Sequence, residues 1–368
     1  MSLDIQESVP LAEFTTFKIG GEARFFVSAQ SEIEIIEALR FAEKNKLEVF
    51  ILGGGSNLLI ADEGFDGLVL QISLKGILFG AEASLPAINN GLARKNETLV
   101  TARAGENWEE FVAFCIEKNL AGLECLSGIP GFVGGTPVQN VGAYGQEVSE
   151  TIVSVRCFDR NAKKIVEMTN AECEFAYRTS IFNTTYINRF VVLGVTYALK
   201  YDGEPKIVYK DLQNYFNGKK PNLQETRHAV LNIRSDKSMV INKNDPNSNS
   251  AGSFFKNPIV DLKKFAKIKQ TAKNMGASEV PSYSVNTNKI KIPAAWLIEK
   301  SGFYKGFLFG EVGISTKHTL AIVNFGNAKA SDVICLKNKI QRKVKEKFDV
   351  TLKPEPVFIG FKDLQKHD

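Results

Sequence analysis

From the N-terminus, apolar and polar positions switch repeatedly between a helical period and short apolar runs. Ser31-Glu32-Ile33-Glu34 is a capping box that predicts a helix to about Asn45, with Ile33, Ile36, Leu39, Arg40 and Ala42 at helical spacing. The apolar run Val49-Phe50-Ile51-Leu52 then stops at Gly53-Gly54-Gly55-Ser56-Asn57 and resumes as Leu58-Leu59-Ile60, a strand, a phosphate-sized loop and a strand. Residues 68–72 and 99–102 read as further strands, and Asn107 caps a helix carrying Trp108, Phe111, Val112 and Cys115. Residues 152–158, the turn Asp159-Arg160-Asn161 and residues 164–166 make a hairpin, and 189–199 alternates as a long strand. Near the end, Val333, Leu336, Ile340, Val344 and Phe348 form the apolar stripe of a helix whose solvated face carries Lys337, Lys339, Arg342, Lys343, Lys345 and Lys347. The sum is an α+β chain.

Two polar stretches interrupt this patterning. Residues from about 80 to 96, with Pro86 and Asn89-Asn90-Gly91, read as a long surface hairpin loop. Residues 242–250 are rich in Asn and Ser and read as a mobile loop at the start of a further domain. The length of 368 residues suits two or three domains, and there is no internal repeat.

Composition narrows the function classes. Against 41 acidic residues stand 46 Lys and Arg, a net charge of +5 that suits a small anionic substrate. The basic C-terminal helix lacks interleaved aromatic residues, so no nucleic-acid partner is expected. No apolar run approaches a bilayer span, and Asp4 and Glu7 stand where a leader would be basic and apolar, so a cytoplasmic, membrane-free protein is expected. Cys115, Cys125, Cys157, Cys173 and Cys335 lack metal-ligand or disulfide spacing and read as reduced thiols, and only three histidines exist, so no metal site is expected.

The densest chemical signal lies at residues 128–145, Gly-Ile-Pro-Gly-Phe-Val-Gly-Gly-Thr-Pro-Val-Gln-Asn-Val-Gly-Ala-Tyr-Gly, without one charged side chain. Glycine lets the main chain approach another molecule closely, so this reads as a wall whose N–H groups face the diphosphate of a dinucleotide. The Gly53–Gly55 cluster supports it, although it has neither the Lys-Ser/Thr of a nucleoside-triphosphate loop nor the third glycine of a Rossmann turn.

Several motifs then converge. Thr16-Phe17-Lys18-Ile19-Gly20-Gly21, Leu52-Gly53-Gly54-Gly55-Ser56-Asn57, the 128–145 segment, Tyr177-Arg178-Thr179-Ser180-Ile181-Phe182, Ala251-Gly252-Ser253-Phe254-Phe255-Lys256-Asn257-Pro258 and Pro354-Glu355 together resemble the UDP-N-acetylenolpyruvoylglucosamine reductase family in order and spacing. The resemblance implies noncovalent FAD in a two-part FAD-binding fold of the vanillyl-alcohol oxidase type, here 1–74 with 349–368 and 75–226, followed by a substrate-binding domain at 227–348. It implies hydride from NADPH to the flavin, then to the enolpyruvyl double bond, giving UDP-N-acetylmuramate for peptidoglycan. A monomer acting on a UDP-linked enolpyruvyl amino sugar is expected.

By that resemblance the flavin is held by Gly53, Gly54, Gly55, Ser56, Asn57 and Leu58, and by Pro130, Gly131, Gly134, Gly135, Thr136, Gln139, Asn140, Gly142, Ala143, Tyr144 and Gly145. The catalytic trio is Arg178, Ser253 as proton donor, and Glu355 between Pro354 and Pro356. Tyr209 folds over substrate, Lys237 meets its diphosphate, Asn257 the sugar or phosphate, and Tyr283 the uridine; His318 is a substrate contact or a lone structural histidine. As chemistry this is coherent, because hydride delivery to an enol ether conjugated to a carboxylate needs a fixed cation at that carboxylate and an acid at the adjacent carbon. A serine gives up a proton only to a strongly basic enolate with a relay behind it, and a nucleophilic Ser253 would need a base that no neighbouring motif offers. Another FAD-dependent oxidase or dehydrogenase of the same fold, or a flavin-binding sensor without turnover, remains the alternative; no histidine lies in either glycine cluster to tether a flavin.

Overall fold

The computed structural model describes residues 3–80 and 96–361, so the hairpin loop expected around 80–96 lies almost wholly outside the described residues. The chain divides into two compact units. The first comprises Met1–Val9, Ala23–Gly55 and Phe65–Val240, and the second Pro10–Glu22, Ser56–Gly64 and Ile241–Asp368.

In the first unit, strands Gln6–Pro10, Glu22–Ala29, Phe65–Ile72 and Val49–Leu52 form a four-stranded sheet in that order, its last three strands parallel. Helix Glu32–Lys44 makes the crossover between Glu22–Ala29 and Val49–Leu52, and Ser31 Oγ caps it by accepting from Glu34 N at 3.2 Å. Its buried stripe is Ile35, Ala38 and Ala42, while Ile33, expected inside, is 69% exposed. Small side chains at 38 and 42 let this helix approach its sheet closely, which shifts the buried face away from the one the larger residues suggest.

A second, antiparallel sheet runs Lys164–Thr169, Ile152–Asp159, Phe190–Tyr201, Glu97–Arg103, Ile77–Phe79, with Leu120–Ala121 paired to Phe190–Tyr201. The expected hairpin closes at Asp159↔Lys164, where Asp159 Oδ1 accepts from the amides of Asn161 and Ala162 and its carboxylate is paired with Arg189 at 2.7 Å. Helix Trp108–Glu117, capped by Asn107, buries Trp108, Phe111, Val112, Cys115 and Ile116, at about 1.5–3 kcal/mol for each large side chain removed from water. Helices Lys210–Phe216 and Leu223–Asp236 complete the unit.

The second unit carries two small antiparallel sheets, Ile259–Asp261, Lys289–Lys291, Tyr283–Asn286 and Leu308–Phe309, Val312–Ile314, Ile322–Asn324. Helix Ala330–Phe348 buries the expected Val333, Leu336, Ile340, Val344 and Phe348. Lys337 departs from its expected place on the solvated face: it is 6% exposed, with its ammonium 5.4 Å from the centre of the Phe358 ring. The polar 242–250 stretch also departs from expectation, since Asn247, Ser248 and Ser250 are buried. Asp245 caps the turn Pro246–Ser248, and Asn247 Oδ1 accepts from Ser315 Oγ, Thr316 N and Thr316 Oγ1 at 3.1, 2.8 and 3.1 Å. Polar side chains can be buried when each finds such partners.

Strand Leu58–Ile60 belongs to this unit and pairs in parallel with Val357–Ile359, so the C-terminal segment returns to the chain just after the first glycine cluster.

Candidate active site

The first unit brings the two glycine clusters into backbone contact. A Cβ on Gly54 would lie 2.6 Å from Gly131 Cα, whereas at Gly53 and Gly135 nothing lies within 4 Å of that position. Gly55 and Gly131 take φ of 64° and 121°, which glycine adopts at no steric cost. The amides of the two clusters divide into two sets. Those of Val133, Gly134, Gly135, Thr136 and Val141 donate to the carbonyls of Glu106, Ala104, Phe132, Val133 and Thr136, so much of the 128–145 segment's donor capacity is spent in folding the wall itself. Those of Gly53, Gly54 and Gly55 have no acceptor among the described residues.

Side chains of the second cluster serve mainly as internal braces. Thr136 Oγ1 donates to Val133 O at 2.8 Å, and Asn140 Nδ2 donates to Glu147 and to Ala176 O at 2.8 and 3.0 Å. Gly142 and Ala143 pair with Gln146 and Glu147 in a two-stranded turn, and Pro130 and Gln139 are half-buried along the same segment. The segment is anchored at its start by Glu109, which accepts from Gly128 N and pairs with Arg227 at 2.6 Å. Near its end, Tyr144 is hydrogen-bonded to the buried Arg234, which donates to Met239 O at 2.7 Å. Burial pushes the Tyr144 phenol up to about 12. Glu109, Arg227 and Arg234 escaped the sequence reading; the seven-residue spacing of the two arginines on one helix face is the signal that could have marked them.

Arg178 sits at φ 55° in the turn closed by Ala176↔Thr179, the left-handed region. Its Nη2 donates to Gly142 O at 2.6 Å and Nη1 to Asn140 O at 3.4 Å, so the guanidinium is docked on the glycine segment. Tyr209 caps helix Lys210–Phe216 and meets Tyr144 edge to face at 5.5 Å. Lys237 Nζ donates to Asp211 at 2.7 Å and lies 5.9 Å from the Tyr144 ring centre. The first unit thus gathers Arg178, Tyr209 and Lys237 around the far end of the glycine segment.

The second unit assembles Ser253, Glu355 and His318. Phe254 N donates to Leu320 O at 2.8 Å, Glu355 N to Phe254 O at 2.9 Å, and Lys256 N to Lys353 O at 2.9 Å, stitching the segment at Ser253 between the 318–320 turn and the Pro354–Pro356 segment. Asn57 Nδ2 donates to Glu355 O at 3.2 Å and Val357 N to Asn57 O at 2.9 Å, while Leu58 pairs with Val357. The neighbouring Ser56 carbonyl accepts from Thr16 Oγ1, which also donates to Ser250 O at 2.7 Å. Ser253 Oγ lies 3.3 Å from His318 Nε2, so the imidazole absent from the motif around Ser253 is supplied from the turn between strands Val312–Ile314 and Ile322–Asn324. Asn257 Oδ1 accepts from Ala294 N at 2.8 Å at the start of helix Ala294–Lys300, and Tyr283 is exposed on the edge strand Tyr283–Asn286. Among the described residues no cluster of His, Cys, Asp and Glu could hold a metal, and no helix is long and apolar enough to cross a membrane.

A model of the FAD binding domain matches residues 23–168, and one of the UDP-N-acetylenolpyruvoylglucosamine reductase C-terminal domain matches 245–359. A UDP-N-acetylenolpyruvoylglucosamine reductase of Thermobifida fusca is 42% identical over 366 residues, 98% of this chain and 99% of the relative. The chain belongs to the UDP-N-acetylenolpyruvoylglucosamine reductase family. One from Streptomyces coelicolor is 41% identical over 358 residues, 95% of this chain and 89% of its own. The crystal structure of UDP-N-acetylenolpyruvylglucosamine reductase from Thermus caldophilus shares the fold, with TM-score 0.62 at 24% identity, covering 98% of this chain and 99% of that one.

The residues fit the FAD that this domain takes. Close backbone contact at Gly54–Gly131, open space over Gly53 and Gly135, and the unspent amides of Gly53–Gly55 form a cradle that a side chain would fill.

Proposed function

We propose that this chain reduces UDP-N-acetylglucosamine enolpyruvate to UDP-N-acetylmuramate with NADPH, through FAD, as a cytoplasmic monomer in cell-wall peptidoglycan synthesis. The observation that supports the reading is the backbone stitch from Glu355 N to Phe254 O, which joins the segment of Glu355 to the residue after Ser253 although the two lie far apart in sequence. The division into FAD-binding parts 1–74 with 349–368 and 75–226, and a substrate-binding part 227–348, belongs to the same proposal.

FAD would be held by the backbone of Gly53–Gly55 and of the 128–145 segment, with Ser56, Asn57 and Leu58 continuing the first loop. The chemistry FAD supplies when bound is hydride transfer, from NADPH and then to the enolpyruvyl double bond. Arg178, its fork oriented by the Gly142 and Asn140 carbonyls, neutralises charge that builds on the substrate carboxylate. Ser253 donates the proton to the carbon that bears the carboxylate, and Glu355, held through its backbone by Asn57 and Phe254, stabilises that intermediate. Lys237 trades its Asp211 partner for the substrate diphosphate, Tyr209 closes over it, and Asn257 and Tyr283 take the sugar and uridine.

Stopped-flow measurement of each half-reaction tests this. Ser253→Ala is expected to leave bleaching of the flavin by NADPH near the parent rate and to abolish reoxidation by the enolpyruvyl substrate. Equal loss of both steps would remove Ser253 from the proton-donor role.

A further inference from the structure

We propose that His318 is the proton relay and positioning residue behind Ser253. The inference rests on the reductase reading above. A serine hydroxyl that has surrendered its proton is left as an alkoxide, a base far too strong to persist, so turnover requires a second donor within reach. His318 Nε2 stands 3.3 Å from Ser253 Oγ, a separation typical of a catalytic hydrogen bond before substrate tightens it. Imidazole is the side chain that gains and loses a proton near neutral pH.

The backbone makes this contact deliberate. Phe254 N donates to Leu320 O at 2.8 Å, which sets the residue after Ser253 against the one two places beyond His318. His318 N donates to Ser315 Oγ at 3.3 Å and its carbonyl accepts from Ala321 N at 3.1 Å, so the turn that presents the ring is closed on both sides. The next residue is pinned too, Thr319 Oγ1 donating to Glu299 at 2.5 Å. Ser253 and His318 are both half-buried, so the hydroxyl is partly shielded while the ring keeps a route to water.

The proton balance is simple. As the electron pair of the enolate carbon takes the Ser253 proton, a C–H bond forms and the Oγ–H bond breaks. The Nε2–H of His318 then breaks as the Oγ–H bond re-forms, and water returns a proton to the imidazole. No further oxidant or reductant enters.

The test uses the FAD-loaded full chain, comparing the parent, His318→Gln, which keeps a hydrogen-bonding group beside Ser253 without a transferable ring proton, and His318→Ala. Flavin bleaching by NADPH is expected at the parent rate in both variants, with reoxidation by the enolpyruvyl substrate slowed about 10²-fold. Added imidazole is expected to restore reoxidation in His318→Ala and to do nothing for Ser253→Ala. An unchanged reoxidation rate, a loss shared by both half-reactions, or a loss that imidazole does not relieve overturns the relay. If the parent itself is bleached by NADPH yet not reoxidised by the substrate, the reductase reading fails instead, whatever the variants do.

Discussion

Gly54 offers a direct test of the cofactor cradle. A methyl there would sit 2.6 Å from Gly131 Cα, 2.8 Å from Gly131 C and 3.0 Å from Phe132 N, all backbone atoms with no flexible end to move aside. Ordinary contact begins at 3.4 Å, so Gly54→Ala intrudes by 3.4 − 2.6 = 0.8 Å and must separate the two glycine loops. Overpacking of this kind costs about 1–3 kcal/mol. Drawn wholly from FAD binding, that is a loss of about 5- to 140-fold in affinity at 1.4 kcal/mol per tenfold; shared with folding, it also lowers the melting temperature. Gly53→Ala is the matched control, because its methyl meets nothing within 4 Å and its φ lies outside the left-handed region. It should leave the melting temperature of the apoprotein unchanged and still weaken FAD, since the space it enters is the space assigned to the cofactor. Titration of apoprotein with FAD, followed by quenching of flavin fluorescence, together with thermal melts, reads both quantities. If Gly54→Ala binds and melts as the parent does, the loops do not rely on that contact. Parent-like FAD affinity in Gly53→Ala would place the cofactor elsewhere.

Arg178→Lys exchanges a fork held by two carbonyls for a point charge that cannot keep both, and reoxidation of reduced flavin by substrate is expected to fall about 10²-fold with NADPH bleaching unchanged; a parent-like rate would remove Arg178 from the carboxylate. Asn247→Ala strips three hydrogen bonds from a buried acceptor and should cost about 1–3 kcal/mol in urea unfolding, whereas an unmoved midpoint would mean the 242–250 stretch contributes nothing to the fold. Tyr144 supplies an alkaline prediction. With its folded value raised by burial to about 12 from 10.0, its contribution is whole below pH 10 and is lost as pH rises toward 12, because the unfolded phenol ionises first. Tyr144→Phe should therefore flatten the decline of stability across that window, and an equally steep decline would assign it to other groups.

What could be read without coordinates follows from how local each signal is. The stripe Val333–Leu336–Ile340–Val344–Phe348 was legible because one helix face of large apolar residues meets one core, and the 152–166 hairpin because its turn chemistry lies within a few residues. The helix Glu32–Lys44 was found but its face misjudged, since Ala38 and Ala42 carry little hydrophobic signal yet decide how near the sheet can come. Composition misled at 242–250, where polarity was taken for mobility and the partners that bury Asn247 lie far ahead at Ser315 and Thr316. In the site, glycine density pointed to the cradle, but periodicity cannot tell which amides remain unspent; the 128–145 wall uses many of its own, so the Gly53–Gly55 loop, the weaker signal in sequence, keeps the donors. Ser253, His318 and Glu355 come from three separate segments joined by Phe254 N to Leu320 O and Glu355 N to Phe254 O. No spacing rule reaches across such a ladder. Resemblance could name the serine, the glutamate and His318, whereas the closeness of the imidazole to the serine hydroxyl is visible only once these segments are joined.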